Sequence, residues 1–332
     1  MDSVGNLARS LVLRTNQVRL REEMDKLAVE VSTGLVKDPG KHLKGDLSNL
    51  LAIDRTLSKL DAFKVNVTEA TYIASTMQTT LDEMQVRTQS LSQTLTSAEL
   101  TPSGELLSTM SEDAESALGQ VMGALNRSVA GRTLFAGTAT DRAAVLPVED
   151  MMTALTTALA GQTDLAGIET ELDLFFGPGG AYETTIYLGS NTGVSPIRLG
   201  ENESANVDIR ATDDTFRELL KPLALAAVAS NPLLALDENT QVDLLSKAGR
   251  DLLAAQEPLV ELRAGIGSLE ARIEETKTRN SAERTATSQA KLELVGAEPY
   301  ETASRYEIIR GQLESLYTIT ARSQRLSLAE FL

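Results

Sequence analysis

The stretch that decides the fold is Ile53 to Leu95, IDRTLSKLDAFKVNVTEATYIASTMQTTLDEMQVRTQSLSQTL. Steps of four and three give Ile53, Leu57, Leu60, Lys64, Val67, Ala70, Ala74, Met77, Leu81, Met84, Thr88, Leu91 and Leu95, and only Lys64 and Thr88 are polar. Neither Pro nor Gly interrupts the run. A repeat of 3.5 residues lays a narrow apolar seam along a helix, and such a seam is buried only against other helices. At 1.5 Å per residue the stretch is a rod of about 65 Å, too long for the interior of one compact domain. The pattern returns near the other end at Leu252, Ala255, Leu259, Leu262, Ile266, Leu269 and Ile273. The middle of the chain carries no such repeat. Two helical arms around a non-repeating insert predict a rod folded back on itself, which is a building part rather than an enzyme.

Composition narrows the function. The chain has 332 residues, a length prior of about two domains. It has no Cys, no Trp and one His, His42, in a loop with Lys41, Lys44 and Gly45. A disulfide framework is impossible, and zinc sites and His- or Cys-based nucleophile relays lack their residues. Gly265-Ile266-Gly267 is followed by Glu270 where a dinucleotide loop needs a third glycine. Asp237-Glu238-Asn239-Thr240 lacks the glycine of an EF-hand. No catalytic, cofactor or metal residues are therefore assigned. The first residues lack the basic and apolar regions of a signal peptide, and the longest apolar run, Leu223 to Ala229, cannot span a bilayer.

The net charge of −16 is uneven. Residues 1–45 hold eight Lys/Arg against six Asp/Glu, residues 141–240 hold five against sixteen, and residues 301–332 balance at four each. An acidic middle disfavours nucleic acid and anionic membrane. Near-neutral ends suit close packing of many copies, and a self-repelling middle suits solvent; solubility alone accounts for the acidity equally well.

Along the chain, residues 5–33 read as a helix with Leu20, Met24, Leu27 and Val31 at seam spacing, stopped by Gly34. The long helix follows at 46–98, a turn at Thr101-Pro102-Ser103-Gly104, and a helix at 104–129. Residues 149–175 read as two short helices. Tyr182, Thr184, Ile186 and Leu188 alternate with Glu183, Thr185 and Tyr187, a strand pattern, with a hairpin turn at Asn191-Thr192-Gly193 and further strands at 194–199 and 207–209. A helix at 213–229 is capped by Thr212 or Asp213, and Asn231-Pro232 opens the next. The C-terminal repeat turns polar at Thr276, Asn280, Glu283 and Thr287, then resumes as Tyr306, Ile309, Leu313, Leu316 and Thr320. Such a terminal segment, with Leu326, Leu328 and Leu332 behind it, is expected to lack a partner within one chain and to detach. The expected fold is mainly α. A long antiparallel coiled-coil-like stalk comes from both chain ends, and a small α+β domain is inserted in the middle. The expected domains are terminal arms at 1–45 and 295–332, stalk at 46–140 and 230–294, and insert at 141–229.

Several of these residues resemble the flagellin family. Leu27 followed by Val31-Ser32-Thr33-Gly34 is similar to the end of that family's first helix. Asn126 and then Gly131-Arg132-Thr133-Leu134-Phe135-Ala136-Gly137-Thr138 resemble its Asn…Gly-Arg-Tyr-Leu-Phe-Ala-Gly motif, with Thr133 in place of Tyr. Gln324-Arg325-Leu326-Ser327-Leu328-Ala329-Glu330-Phe331-Leu332 resembles the family ending. In the insert, Tyr187-Leu188-Gly189, Arg198-Leu199-Gly200, Val207, Asp213-Asp214 and Phe216 follow the order of the branch seated between hook and filament. The resemblance implies an extracellular structural subunit of the bacterial flagellum, exported without a cleaved signal peptide, on which filament flagellin polymerises. It implies as partners further copies in a ring, a neighbouring hook-associated protein, filament flagellin and an export chaperone. No cofactor, nucleic acid or membrane is implied. The assembly interface would comprise Leu20, Met24, Leu27, Val31, Ile309, Leu313, Leu316, Leu326, Leu328 and Leu332. The other readings are a filament flagellin, a cytoplasmic coiled-coil scaffold and an enzyme carried on a stalk.

Overall fold

The computed structural model describes the backbone of residues 2–99 and 103–329 and the side chains of 8, 10–98 and 103–322. In chain order come α1 (Asp2–Thr33), the single turn α2 (Pro39–His42), α3 (Ser48–Thr96) with a 3-10 turn at Ser97–Glu99, and α4 (Gly104–Leu125). The middle holds β1 (Ser128–Val129), β2 (Arg132–Thr133), α5 (Val148–Ala158), α6 (Leu165–Phe176), β3 (Ile197–Arg198), β4 (Ser204–Ala205) and α7 (Asp214–Ala227). Then follow α8 (Glu238–Ala254), α9 (Gln256–Val295) and α10 (Pro299–Ala329). Long helices dominate, and β1–β2 and β3–β4 are two small antiparallel pairs, as the expected mainly α fold requires. The chain divides into two compact units, Met1–Ala62 with Asn280–Leu332, and Phe63–Arg279.

In the first unit, α1 ends at Gly34, whose φ of +69° is a left-handed C-cap favoured by glycine. Its N–H bonds Glu30 O at 2.9 Å, and the hydroxyls of Ser32 and Thr33 bond Val29 O. The buried Glu30 carboxylate takes the Lys37 N–H at 3.0 Å, fixing the turn. The chain beyond α1 then pairs with the α9–α10 connection: Val36 N–H donates to Val295 O and Ala297 N–H to Gly34 O, both at 2.9 Å. Pro299 starts α10 in the first turn, where a missing N–H costs nothing. α10 returns along α1, so the two terminal helices pack on each other. The ends of α3 and α9 also run oppositely, with Asp54–Lys291 and Asp61–Arg284 each 2.7 Å apart.

The second unit buries the α3 repeat almost completely. Val67, Ala70, Ala74, Met77, Leu81, Met84, Leu91 and Leu95 join one core with α4, α7, α8 and the start of α9. Two close approaches show how tightly α3 and α4 are clasped. A Cβ on Gly249 of α8 would lie 2.8 Å from Thr96 N, and Ser92 donates to Gly249 O at 2.8 Å. On α4, buried Ser111 donates to the carbonyls ending α7, Ala226 and Ala227, satisfying groups a helix end leaves orphaned. α8 and α9 are separated at Ala255, where Pro258 supplies no N–H for Ala254 O.

The insert departs from the expected strands. Residues 182–186 form a π-helical turn, in which Tyr187 N–H bonds Tyr182 O at 2.8 Å. Tyr182 and Ile186 are buried four residues apart, so the apparent alternation was one helical turn; only Tyr187 pairs strand-like, with Val145. The real hairpin is Ile197–Arg198 with Ser204–Ala205, and 207–209 is not a strand. Asn231-Pro232 makes a turn, and α8 starts at Asp237, whose carboxylate accepts the Thr240 N–H at 2.7 Å. Asp213 stands at the N-cap of α7, but its carboxylate bonds back to Arg210 N–H at 3.0 Å instead. Of the turn at 101–104, Thr101 and Pro102 lie outside the described residues.

Two tyrosines tie the second unit to high-pH stability. Tyr182 is wholly buried and donates to Ala211 O at 2.8 Å, so burial pushes its phenol far above the usual range. Tyr187 donates to Ser190 O at 3.0 Å and is pushed up to about 12, chiefly by burial. A pKa raised on folding means the neutral phenol is the stabilised form, so this contribution is complete below pH ~10 and is lost as pH rises through about 12. Ultraviolet titration is expected to show two of the six tyrosines ionising late, together with loss of helical circular dichroism. Six ordinary titrations in a folded chain would contradict this.

Candidate assembly surface and the motif that anchors the insert

The α1–α10 contact takes up the residues expected to be free. Leu20, Leu27 and Leu313 are buried, while Met24, Ile309 and Leu316 are half-buried. Arg21 donates to the Tyr317 hydroxyl at 2.9 Å and lies 5.7 Å from its ring centre, and Arg305 reaches Glu23 at 3.6 Å. The expectation that Leu313 lacks a partner within one chain is thus corrected, because its stripe meets the Leu20–Leu27 stripe of α1. Val31, at the end of α1, stays 49% exposed. The Leu326 and Leu328 side chains and Leu332 lie outside the described residues.

What remains uncovered lies elsewhere on the same helices. Leu11, Val18 and Val29 are exposed, and their spacings of seven and eleven place them on one face, opposite Leu20 and Leu27. Ile308 and Ile319, 56% and 55% exposed, share a second face of α10 at the same spacing of eleven. Isolated exposed aliphatics are ordinary, but here they repeat along faces of helices whose inner seam is already filled. The spacing of Leu11, Val18 and Val29 is visible as a periodicity in the sequence.

The motif residues at 126–137 form a structural joint. Asn126, at the end of α4, uses its side chain as a strand would: Nδ2 donates to Val145 O at 3.0 Å and Oδ1 accepts Val145 N–H at 2.9 Å. Ala130 and Gly131, with φ of +50° and +78°, make the two-residue turn between β1 and β2. Arg132 reaches Glu69 at 2.9 Å, and Arg127 pairs with Glu83, so the hairpin lies along α3. Leu134 and Phe135 are buried; Phe135 meets Phe216 edge-on at 5.5 Å, and its carbonyl accepts Ala211 N–H at 2.9 Å. Gly137 has φ +57°, and a Cβ there would stand 2.3 Å from Ser190 O and 2.7 Å from Thr192 O. That approach lets Ser190 N–H reach Ala136 O and Thr138 N–H reach Thr192 O.

Little here resembles a reaction centre. A depression of about 540 Å³ is lined by Glu183, Asn191, Arg210, Thr212, Asp213, Asp214 and Arg217. Its cations are committed: Arg210 to Asn191 O and Asp208, Arg217 to Phe176 O and Asp214. Burial raises the Asp213 pKa, opposed by its bond from Arg210. Among the described residues no group of His, Cys, Asp and Glu could hold a metal, and no helix is long and apolar enough to cross a membrane.

Residues 253–332 match the bacterial flagellin C-terminal helical region. Over those residues the chain is similar to the flagellin family. The family's members form part of the bacterial flagellum. Bacillus cereus FlgL shares the fold with a TM-score of 0.53 at 14% identity, over 72% of this chain and 98% of its own. A Vibrio parahaemolyticus protein described as flagellar hook-associated aligns at 15% identity and TM-score 0.48, over 73% of this chain and 94% of its own. No curated protein sequence matches the chain.

The joint gives a direct test. Gly137→Ala forces a Cβ against two backbone carbonyls at positive φ and is expected to cost about 1–3 kcal/mol. Gly123→Ala, in an exposed helical position with nothing near its Cβ, is expected to gain up to about 1 kcal/mol. Chemical denaturation of the two variants measures both; equal effects would contradict the assigned contact.

Proposed function

We propose that this chain is a structural, non-enzymatic subunit of the bacterial flagellum, an adapter at the hook–filament junction on which filament flagellin polymerises. The observation that carries the reading is the outward apolar stripe of α1 and α10, in a chain whose residues 253–332 are a flagellin C-terminal helical region. The inner seam of the terminal pair is already filled, so the outer stripes are left for neighbouring subunits. The FlgL-like fold supports the junction rather than the shaft. On this reading further copies form a ring, with a hook-associated protein on one side and filament flagellin on the other. The terminal arms, 1–45 and 295–332, line the inside of that ring and the acidic insert at 141–229 faces solvent. The subunit is extracellular, is exported unfolded with an export chaperone, and needs no cofactor. A filament flagellin is the second reading, favoured by the family match itself.

Val18→Asp with Ile308→Asp and Ile319→Asp puts charge on exposed faces only, so the circular dichroism and melting of the isolated subunit are expected to stay unchanged. Burying such side chains is worth about 1.5–3 kcal/mol each, so incorporation is expected to fail. Cells carrying this variant as their only copy are then expected to build hooks, lack filaments and release flagellin into the medium. Normal filaments would refute an assembly role for these faces. Truncated filaments composed of this protein would transfer the reading to filament flagellin.

A further inference from the structure

The apolar repeat that pairs α3 with α9 does not select a register. From Ala70 to Leu95 and from Leu252 to Ile273 both seams recur every seven residues, so moving α9 by one heptad, about 10 Å along α3, would again set apolar residues on apolar residues. At the α8–α9 junction the helical hydrogen-bond ladder is interrupted, because Pro258 supplies no N–H for Ala254 O. The polar residues within the seam lack this periodicity.

Thr88 occupies a seam position and is fully buried; its hydroxyl donates to Met84 O at 2.8 Å and accepts from Gln256 Nε2 at 3.1 Å. Gln256 Nε2 also donates to Leu252 O at 3.1 Å, four residues earlier, so a shifted register removes only the bond to Thr88, since Leu81 and Leu95 stand seven residues to either side. Arg263, with a side chain 24% exposed, bonds Asp82 at 2.8 Å and also Gln85. A heptad away from Asp82 stand Ser75 and Gln89, so no carboxylate would meet that guanidinium. A buried charge or amide without a partner is costly, whereas an apolar residue in a shifted seam is not.

We propose that Thr88–Gln256 and Asp82–Arg263 are a register lock: they exclude the heptad-shifted pairings that the apolar repeat permits. The lock has a cost in stability, since Gln256 Oε1 and Arg263 Nε stay buried without hydrogen-bond partners. One seam polar group that specifies alignment at the expense of stability is an established device in coiled coils.

The absence of cysteine allows a direct measurement in the full chain. Spin labels on Val65→Cys and Val260→Cys sit on exposed positions outside the lock. Pulsed dipolar spectroscopy is expected to give one distance. Thr88→Leu with Gln256→Leu and Arg263→Leu is expected to melt no lower, yet to show a second distance displaced by about 10 Å. Moving the lock one heptad, with Asp82→Ser, Ser75→Asp, Thr88→Leu and Leu81→Thr, is expected to shorten the main distance by about 10 Å. One unshifted distance in both variants overturns the proposal. So does loss of helicity in the moved-lock variant if the apolar variant keeps a single distance.

Discussion

Burial of the α3 seam is the constraint on which the second unit depends. From Val67 to Leu95 the seam side chains are almost inaccessible to water, at about 1.5–3 kcal/mol for each large one. A helix cannot cover its own seam, so every neighbouring element is placed by what α3 requires. α4 turns back beside it, α8 approaches to within backbone contact at Gly249, and the hairpin is tied to it at Glu69 and Glu83. The exposed ion pairs are minor next to this, since such pairs typically contribute under about 1 kcal/mol.

The insert shares the apolar core of α4 and α8 through α5, α6 and α7, and backbone hydrogen bonds fix its loops. Asn126 completes the pairing of Val145, Gly137 admits the 190–192 loop, and the Tyr182 hydroxyl holds Ala211 O. These contacts give the motif at 126–137 a structural role within the chain. Its glycines and asparagine supply conformations and hydrogen bonds that other side chains do not provide.

The terminal pair obeys a different logic. Its inner seam is satisfied within the chain, yet α1 and α10 still present apolar stripes outward. A monomer gains nothing from those stripes, and an assembly does. Near-neutral charge at both ends removes the repulsion that would oppose bringing many copies together.

Helix positions were legible in the sequence because period and capping act locally. The 4-3 repeat placed α3, and Gly34 ended α1 through its left-handed backbone. The family resemblance was legible at Ser32-Thr33-Gly34, at Asn126 to Gly137 and at the chain end. The strands at 182–188 and 207–209 were misplaced because alternation over seven residues cannot be told from one helical turn buried at Tyr182 and Ile186. The start of α8 was set by the Asp237 cap rather than by Asn231-Pro232. Partnership was beyond the sequence. Whether Leu313 meets Leu20 and Leu27 or another molecule depends on α10 folding back along α1. The sequence by itself determined which faces are apolar; the tertiary structure decided which of them are already covered, because burial depends on contacts between residues far apart in the chain.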